Sequence, residues 1–333
     1  MDTIAITIDS VISKRNMDDR VFFDVCFEWE DIIADILHAK IVSFNKLEYI
    51  YKRIKGKFFP WGYNITQDYK YPLAVFFVMS YTDLKYYYGK NALPIFLDIW
   101  SDEAIKFVDR KLGSSFFYVT SLDVYNRFVD LNKLSGAHYM PLSVSDKYFS
   151  EYFDKYEKTV DVIQIGRRNE VLHRWMLDYV KNNPDIEYIY SQEGNTRGKL
   201  NYISTRKGNI GKIVNREQYI KLLGSAKVSL VSTPGVDNSR ENNKFGVDFP
   251  TPRFYESAVT GNYMIGRYTN NSENERIERV CPLASDYDFF CNEISRGIST
   301  SKAELYRKYK DFIISNMTSC RVRQLINDLH INI

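Results

Sequence analysis

The chain has 333 residues, enough for two domains with sizeable cores, and its 44% apolar and 26% charged content is that of a globular protein, not a disordered or fibrous one. A formal charge of +3 is too small to point to nucleic acid, and no stretch approaches the roughly eighteen consecutive apolar residues of a membrane span. Residues 1–10, MDTIAITIDS, carry acids and lack a signal-peptide run, and Cys26, Cys281, Cys291 and Cys320 lack metal spacing. Reduced thiols in a soluble cytoplasmic protein are the expectation.

In chain order, Ile4-Ala5-Ile6-Thr7-Ile8 alternates as a first strand would, and from Val21 to Val42 apolar residues recur at helical spacing. Lys46 to Lys57, KLEYIYKRIKGK, is basic and aromatic and precedes FFPWGYN. This patch suits a lipid headgroup surface or an anionic acceptor, and equally a solvated helix face leading into an aromatic turn, where Trp61 and Tyr63 are placed to stack on a sugar. Leu73–Met79 and Ala92–Leu97 are continuous apolar runs that read as buried strands, the second ending in Asp98. Helices are expected over Ser101–Leu112 and from Ser121, strands at Phe116–Thr120 and from His138. Strands alternating with helices predict a parallel sheet covered on both faces.

Residues 145–159 are polar, charged and aromatic and read as a linker. Val160–Ile165 restarts a strand that runs into Gly166-Arg167-Arg168-Asn169 and a helix, and Ile186–Tyr190 is the next strand. Gln192 to Gly211, rich in Gly, Asn, Lys and Arg, reads as a mobile excursion. Asn215 caps a helix to Gly224, Lys227–Ser232 is a strand, and Pro234–Val247 is a polar loop. Leu283–Asp286 reads as a last strand, and Lys302–Leu329 is mostly helical.

One stretch organises the carboxy half: GVDFPTPRFYESAVTGNYMIG, from Gly246 to Gly266. Thr251 is a suitable N-cap whose hydroxyl can accept a first-turn N–H, Pro252 suits the first helical position, and Gly261 suits a left-handed helix terminator. The helix start presents free N–H groups and a positive dipole end, and Arg253 adds a bidentate phosphate donor. Asp248 and Glu256 have seven residues between them, one acid before the helix and one a turn inside it. Arg253 and Glu256, three apart, are also placed for an ordinary surface ion pair.

The acidic–seven–acidic spacing resembles the signature of GT-B glycosyltransferases that retain anomeric configuration, with Asp248 standing where the family has Glu. The Pro-Arg-Phe-Tyr-Glu wording resembles the spore-maturation-protein-like branch of those enzymes. Strand-Gly166-Arg167 resembles the family's first carboxy-domain turn, Ile213-Val214 with Tyr219–Leu223 its base-binding segment, and Ser232-Thr233-Pro234 its polar strand end before the acidic pair. The resemblance implies an α/β fold of two Rossmann-like domains whose parallel sheets face across a cleft. Residues 1–150 would form an acceptor domain, 151–300 the nucleotide-sugar domain, and 301–333 helices packing back on the first.

It also implies a glycosyltransferase moving a sugar from a nucleotide-diphosphate donor to a glycan or lipid-linked acceptor, with retention, in cell-surface glycan biosynthesis. Peripheral contact with the inner face of the membrane is included, and nucleic acid is not expected as a partner. The donor site would use Gly166, Arg167, Val214, Tyr219, Thr233, Thr251 and Arg253, with Glu256 and Asp248 as the acids at the sugar or ribose. Asp98, ending a predicted strand, is the candidate acid of the acceptor side, and equally a helix-cap or loop charge. The residues show no ligand-spaced His/Cys/acid cluster, so Arg167, Arg253 and helix amides are expected to neutralise the leaving diphosphate without a metal cofactor. A sugar-nucleotide epimerase or hydrolase would share the donor site, and a non-catalytic glycan- or partner-binding domain would share the fold.

Overall fold

The computed structural model describes residues 6–10, 24–43, 45–58, 73–85, 91–192, 201–238 and 246–331. Trp61, Tyr63 and the basic cluster around Arg197 lie outside them. The apolar runs of the amino half become a six-stranded sheet in the order β2-β1-β3-β4-β5-β6. These strands are Lys40–Ser43 (β2), Ile6–Ser10 (β1), Leu73–Val78 (β3), Ala92–Phe96 (β4), Phe117–Val119 (β5) and Ala137–Tyr139 (β6), and every pairing is parallel. LAVFFV and ALPIF are continuous apolar runs because β3 and β4 are central and buried on both faces. The helical reading of Val21–Val42 is only partly correct. Helix α1 covers Asp24–Ile36, after which His38 takes φ 50° and turns the chain into edge strand β2.

The second sheet has the order β10-β9-β8-β7-β11-β12. Val160–Gln164 (β7), Tyr188–Ser191 (β8), Ala226–Ser232 (β11) and Tyr263–Arg267 (β12) are parallel, while Asn201–Ser204 (β9) and Gly208–Lys212 (β10) run antiparallel at the edge. This corrects the expected excursion over 201–211, while 193–200 lie outside the described residues. β10 is solvated on nearly every residue, so no apolar alternation marks it, and Gly208 at φ 71° closes its turn. The strand expected at Leu283–Asp286 is reduced to a single bridge from Leu283 to Gly266.

Helices α2 (Lys46–Phe58), α3 (Asp102–Leu112) and α4 (Leu122–Leu131) accompany the first sheet. Helices α5 (Glu170–Asn182), α6 (Arg216–Gly224), α7 (Pro252–Val259), α8 (Glu275–Glu278) and α9 (Tyr287–Ser299) accompany the second. Side-chain caps start them where the sequence places them: Ser101 Oγ accepts from Ala104 N, Asn169 Oδ1 from Leu172 N and Asn215 Oδ1 from Gln218 N. The helical tail breaks at Asn316–Met317 into α10 (Lys302–Ser315) and α11 (Thr318–Asp328). α11 returns to the first sheet and packs on α1, with Tyr118 Oη donating to Asp328 and the Arg321 guanidinium to the Pro141 and Leu142 carbonyls.

In each sheet the order reverses once, between β1 and β3 and between β7 and β11, and such points open crevices at the carboxyl ends of parallel strands. The Gly166 turn follows β7 and Met79 follows β3, and both line the same cleft.

Candidate functional site

The cleft between the sheets has a volume of about 680 Å³, within the range that accommodates a small organic ligand. Its second-sheet wall is built from two backbone features. Gly166 takes φ 76°, a left-handed conformation that a side chain resists, and so reverses the chain at the end of β7. The turn is held by Ser191 Oγ donating to the Gly166 carbonyl at 2.7 Å and by Gly166 N donating to Tyr202 Oη at 3.3 Å. Facing it is the amino end of α7, where Thr251, Pro252 and Arg253 line the cleft.

Thr251 occupies the N-cap position, yet its hydroxyl caps nothing. Pro252 has no N–H to offer, and Phe254 N donates to the Thr251 carbonyl at 3.1 Å, so Thr251 Oγ1 is buried without a partner. At the other end of α7, Gly261 has φ 67°, and a Cβ there would fall 2.4 Å from the Phe153 ring. Arg253 couples helix to turn: its Nη1 donates to the Ile165 carbonyl at 3.3 Å and the Arg167 carbonyl at 2.5 Å.

Glu256 is 2% exposed and does not pair with Arg253 at the surface. Its Oε1 lies 2.7 Å from Arg216 Nη2, and its Oε2 accepts from Tyr219 Oη at 2.8 Å. Arg216 also reaches Glu28 of α1 at 3.4 Å, and Glu28 in turn contacts Lys147 at 2.9 Å and accepts from Tyr148 Oη. A buried guanidinium thus joins an acid of the first sheet's layer to the acid on α7. Burial works against the charge on Arg216, but the Glu256 and Glu28 carboxylates outweigh it and raise its pKa. Tyr219, buried beside Glu256, is held protonated well above the usual phenol range.

Asp248 is 2% exposed and is absent from the cleft wall. Its carboxylate collects Thr233 Oγ1 at 2.7 Å, Gly235 N at 2.7 Å, Thr269 N at 3.0 Å, Thr269 Oγ1 at 2.6 Å and Asn274 Nδ2 at 3.2 Å. Five donors from two loops, the one after β11 and the one between β12 and α8, turn it inward and take Thr233 with it, so both stand behind the cleft. Val214 also lies off the wall, and its N–H donates to Gln218 Oε1 at 3.2 Å, while the preceding Ile213 lines the cleft. Asp98, Gly166, Arg167, Tyr219, Thr251, Arg253 and Glu256 do come together on the cleft wall.

The first sheet contributes an apolar wall in which Trp29, Phe77, Met79 and Leu97 take part. Trp100 stacks on Phe249 of the second unit at 5.2 Å across the cleft. Sequence reasoning passed over Arg216, Tyr202, Trp29 and Trp100. Arg216 follows a cap as any solvated first-turn residue would, and Tyr202 sits in the segment read as an excursion.

Where the two units also meet, Glu273 accepts from Leu122 N at 2.8 Å and Ser121 Oγ at 3.2 Å, capping α4 of the first unit from the second. Tyr139 Oη and Arg276 Nη2 also donate to it, each at 3.2 Å. Burial pushes its pKa up to about 7, against the lowering effects of Arg276 and the donated hydrogen bonds. Among the described residues no group of three or more His, Cys, Asp or Glu side chains is placed to hold a metal ion, and no helix is long and apolar enough to cross a membrane.

No protein-family model and no curated protein sequence matches the chain. Among solved structures, it is similar to AviGT4, a glycosyltransferase involved in avilamycin A biosynthesis, with a TM-score of 0.59 over 98% of this chain and 97% of that one. The sequence identity there is 11%. The chain has the GT-B fold. The amino-terminal domain of Candida albicans trehalose-6-phosphate phosphatase (TM-score 0.55, 10% identity, 98% of this chain and 97% of that one) has a similar structure. So does trehalose-6-phosphate synthase, studied for glycosyl transfer with retention (0.51, 11%, 96% and 84%). At such identities the likeness concerns the fold, so the role of the GT-B cleft rests on its own residues.

Proposed function

We propose that the chain transfers a sugar from a nucleotide-diphosphate donor to a glycan or lipid-linked acceptor, with retention and without a metal. One observation carries the reading: the Gly166 turn and the open amino end of α7 converge on one cleft, joined by Arg253. The positive dipole end of α7 at that point suits a diphosphate, with the Arg167 side chain adding positive charge. The unpartnered Thr251 hydroxyl at the same helix start is a buried polar group for which a bound phosphate or sugar hydroxyl would account. Glu256, one turn further in, would face the ribose or sugar.

In this mechanism the bond from the anomeric carbon to the diphosphate oxygen breaks as the acceptor oxygen bonds to the same face. The acceptor proton passes to a leaving phosphate oxygen, and the charge growing on the diphosphate is stabilised by the α7 dipole and Arg167. The apolar wall from Trp29, Phe77 and Leu97 suits an acceptor with an apolar face. Peripheral association with the inner face of a membrane, in cell-surface glycan synthesis, is consistent with such an acceptor.

A panel of nucleotide sugars screened for thermal stabilisation tests the reading, since a ligand at a hundred times its Kd adds about 2.7 kcal/mol. The stabilising donor should then turn over with acceptor, and turnover should survive EDTA. Loss of activity in EDTA that manganese or magnesium restores would refute the metal-independent step.

A second reading, a GT-B domain that binds a partner or glycan without catalysis, is favoured by the engagement of both Glu256 oxygens by Arg216 and Tyr219. Failure of every donor to stabilise the chain would favour it.

A further inference from the structure

Helix α2 carries an apolar stripe that the fold leaves in solvent. Leu47, Ile50, Tyr51, Ile54 and Phe58 recur at the spacing of one helix face, and each is between 47% and 78% exposed. The opposite face holds the helix to the protein: Gly56 is buried, and Lys52 Nζ lies 3.3 Å from Asp9 at the end of β1. The stripe is flanked by cations. Arg53 and Lys57 project along one side and Lys55 along the other, with Lys55 Nζ 4.7 Å from the centre of the Tyr51 ring.

The helix is well started. Asn45 Oδ1 accepts from Leu47 N and Glu48 N, and Glu48 Oε2 accepts from Asn45 N, a reciprocal capping box. An ordered, apolar, cation-edged helix is the pattern that lies in the headgroup plane with its apolar face among the acyl chains. Nucleic acid would use the cations and leave the stripe unsatisfied.

We propose that α2 docks the protein on an anionic lipid bilayer. The docking is independent of the chemistry in the cleft, but its orientation bears on it. Asp9 and Met79 stand at the ends of the paired strands β1 and β3, so α2 flanks the edge of the first sheet on which the cleft opens. If the transferase reading holds, a docked α2 sets the apolar wall of the cleft beside the membrane and selects acceptors carried in it.

Co-sedimentation of the full chain with vesicles of phosphatidylcholine alone, and of phosphatidylcholine mixed with phosphatidylglycerol, tests the proposal without any sugar donor. A failed transferase assay therefore leaves it standing, and failed docking leaves the transferase reading standing. Binding to the mixed vesicles is expected to exceed binding to the neutral ones by at least about tenfold and to weaken in high salt. The Arg53→Gln/Lys57→Gln variant should lose most of that preference, since each cation near an anionic surface contributes about one kcal/mol. Ile54→Glu/Phe58→Glu should abolish binding to both vesicles while keeping the wild-type thermal midpoint and oligomeric state. Absence of wild-type binding to the mixed vesicles would overturn the proposal. So would a lowered midpoint or a dissociated oligomer in the Glu variant, since either result means that protein covers the stripe.

Discussion

Arg216 Nη2 lies 2.7 Å from Glu256 Oε1, inside the protein, and the same guanidinium nitrogen lies 3.4 Å from Glu28 Oε2. The two acids belong to helices on different sheets, so one cation balances charge from both sides of the cleft. Removing the cation leaves the Glu256 carboxylate buried without its counter-charge, while Glu28 keeps Lys147; neutralising Glu256 instead leaves Arg216 paired with Glu28. Arg216→Met is therefore expected to destabilise the fold by about 3–5 kcal/mol, the usual cost of orphaning a buried charge. Glu256→Gln should fold normally, and equilibrium denaturation of the two variants checks the asymmetry.

Because Glu256→Gln keeps the Arg216–Glu28 pair, it is also a clean probe of catalysis. If Glu256 binds donor hydroxyls, losing its charge should cost roughly ten- to a hundredfold in kcat/KM. Wild-type turnover by the folded variant would leave Glu256 a structural partner of Arg216.

Arg253 holds the Gly166 turn through two carbonyls, so its loss should loosen the turn as well as remove a cation. Arg253→Ala is expected to weaken nucleoside-diphosphate binding by at least about tenfold, and Arg253→Lys to recover little of it, since the shorter lysine stem stops short of where Nη1 meets the two carbonyls. Calorimetric titration of the free nucleoside diphosphate measures both. Equal affinity in all three proteins would place the diphosphate elsewhere.

Asp248 faces donors on both oxygens, so Asp248→Asn substitutes an NH2 where an acceptor is required. The expected result is a loss of about 1–3 kcal/mol in stability, with any fall in activity tracking the unfolded fraction. Activity lost at full stability would instead indicate a direct role for Asp248 in the cleft.

Glu273 supplies the pH dependence. Its folded pKa, raised to about 7 from an ordinary 4.5, means that the folded state binds the proton more tightly than the unfolded chain. Its contribution is thus fully present below the unfolded value and is lost as pH rises through about 7, a difference of about 3 kcal/mol. Glu273→Gln should match wild type near the acid end of that window and exceed it in stability above it. Urea midpoints across the window measure the crossover, and parallel curves for the two proteins would remove Glu273 from the account.

Features that depend on neighbours along the chain are legible in the sequence. Continuous apolar runs specified β3 and β4, because a strand buried on both faces needs no alternation. Asn169, Asn215 and Ser101 specified helix starts through bonds spanning three residues, and Gly261 specified a stop because few other residues accept φ 67°. The tertiary structure decided what depends on distant partners. Asp248 and Glu256 look alike in the sequence, yet loop donors draw the first inward while Arg216 and Tyr219 hold the second at the cleft. Arg216 meets Glu28 across 188 positions of chain, and no local pattern distinguishes it from a solvated first-turn arginine. Thr251 looks like a cap, but the bond it would accept is taken by its own carbonyl. Pairings of this kind are set by how two sheets meet, and the free energy that selects them comes from burying charge against charge, which leaves no periodicity to read.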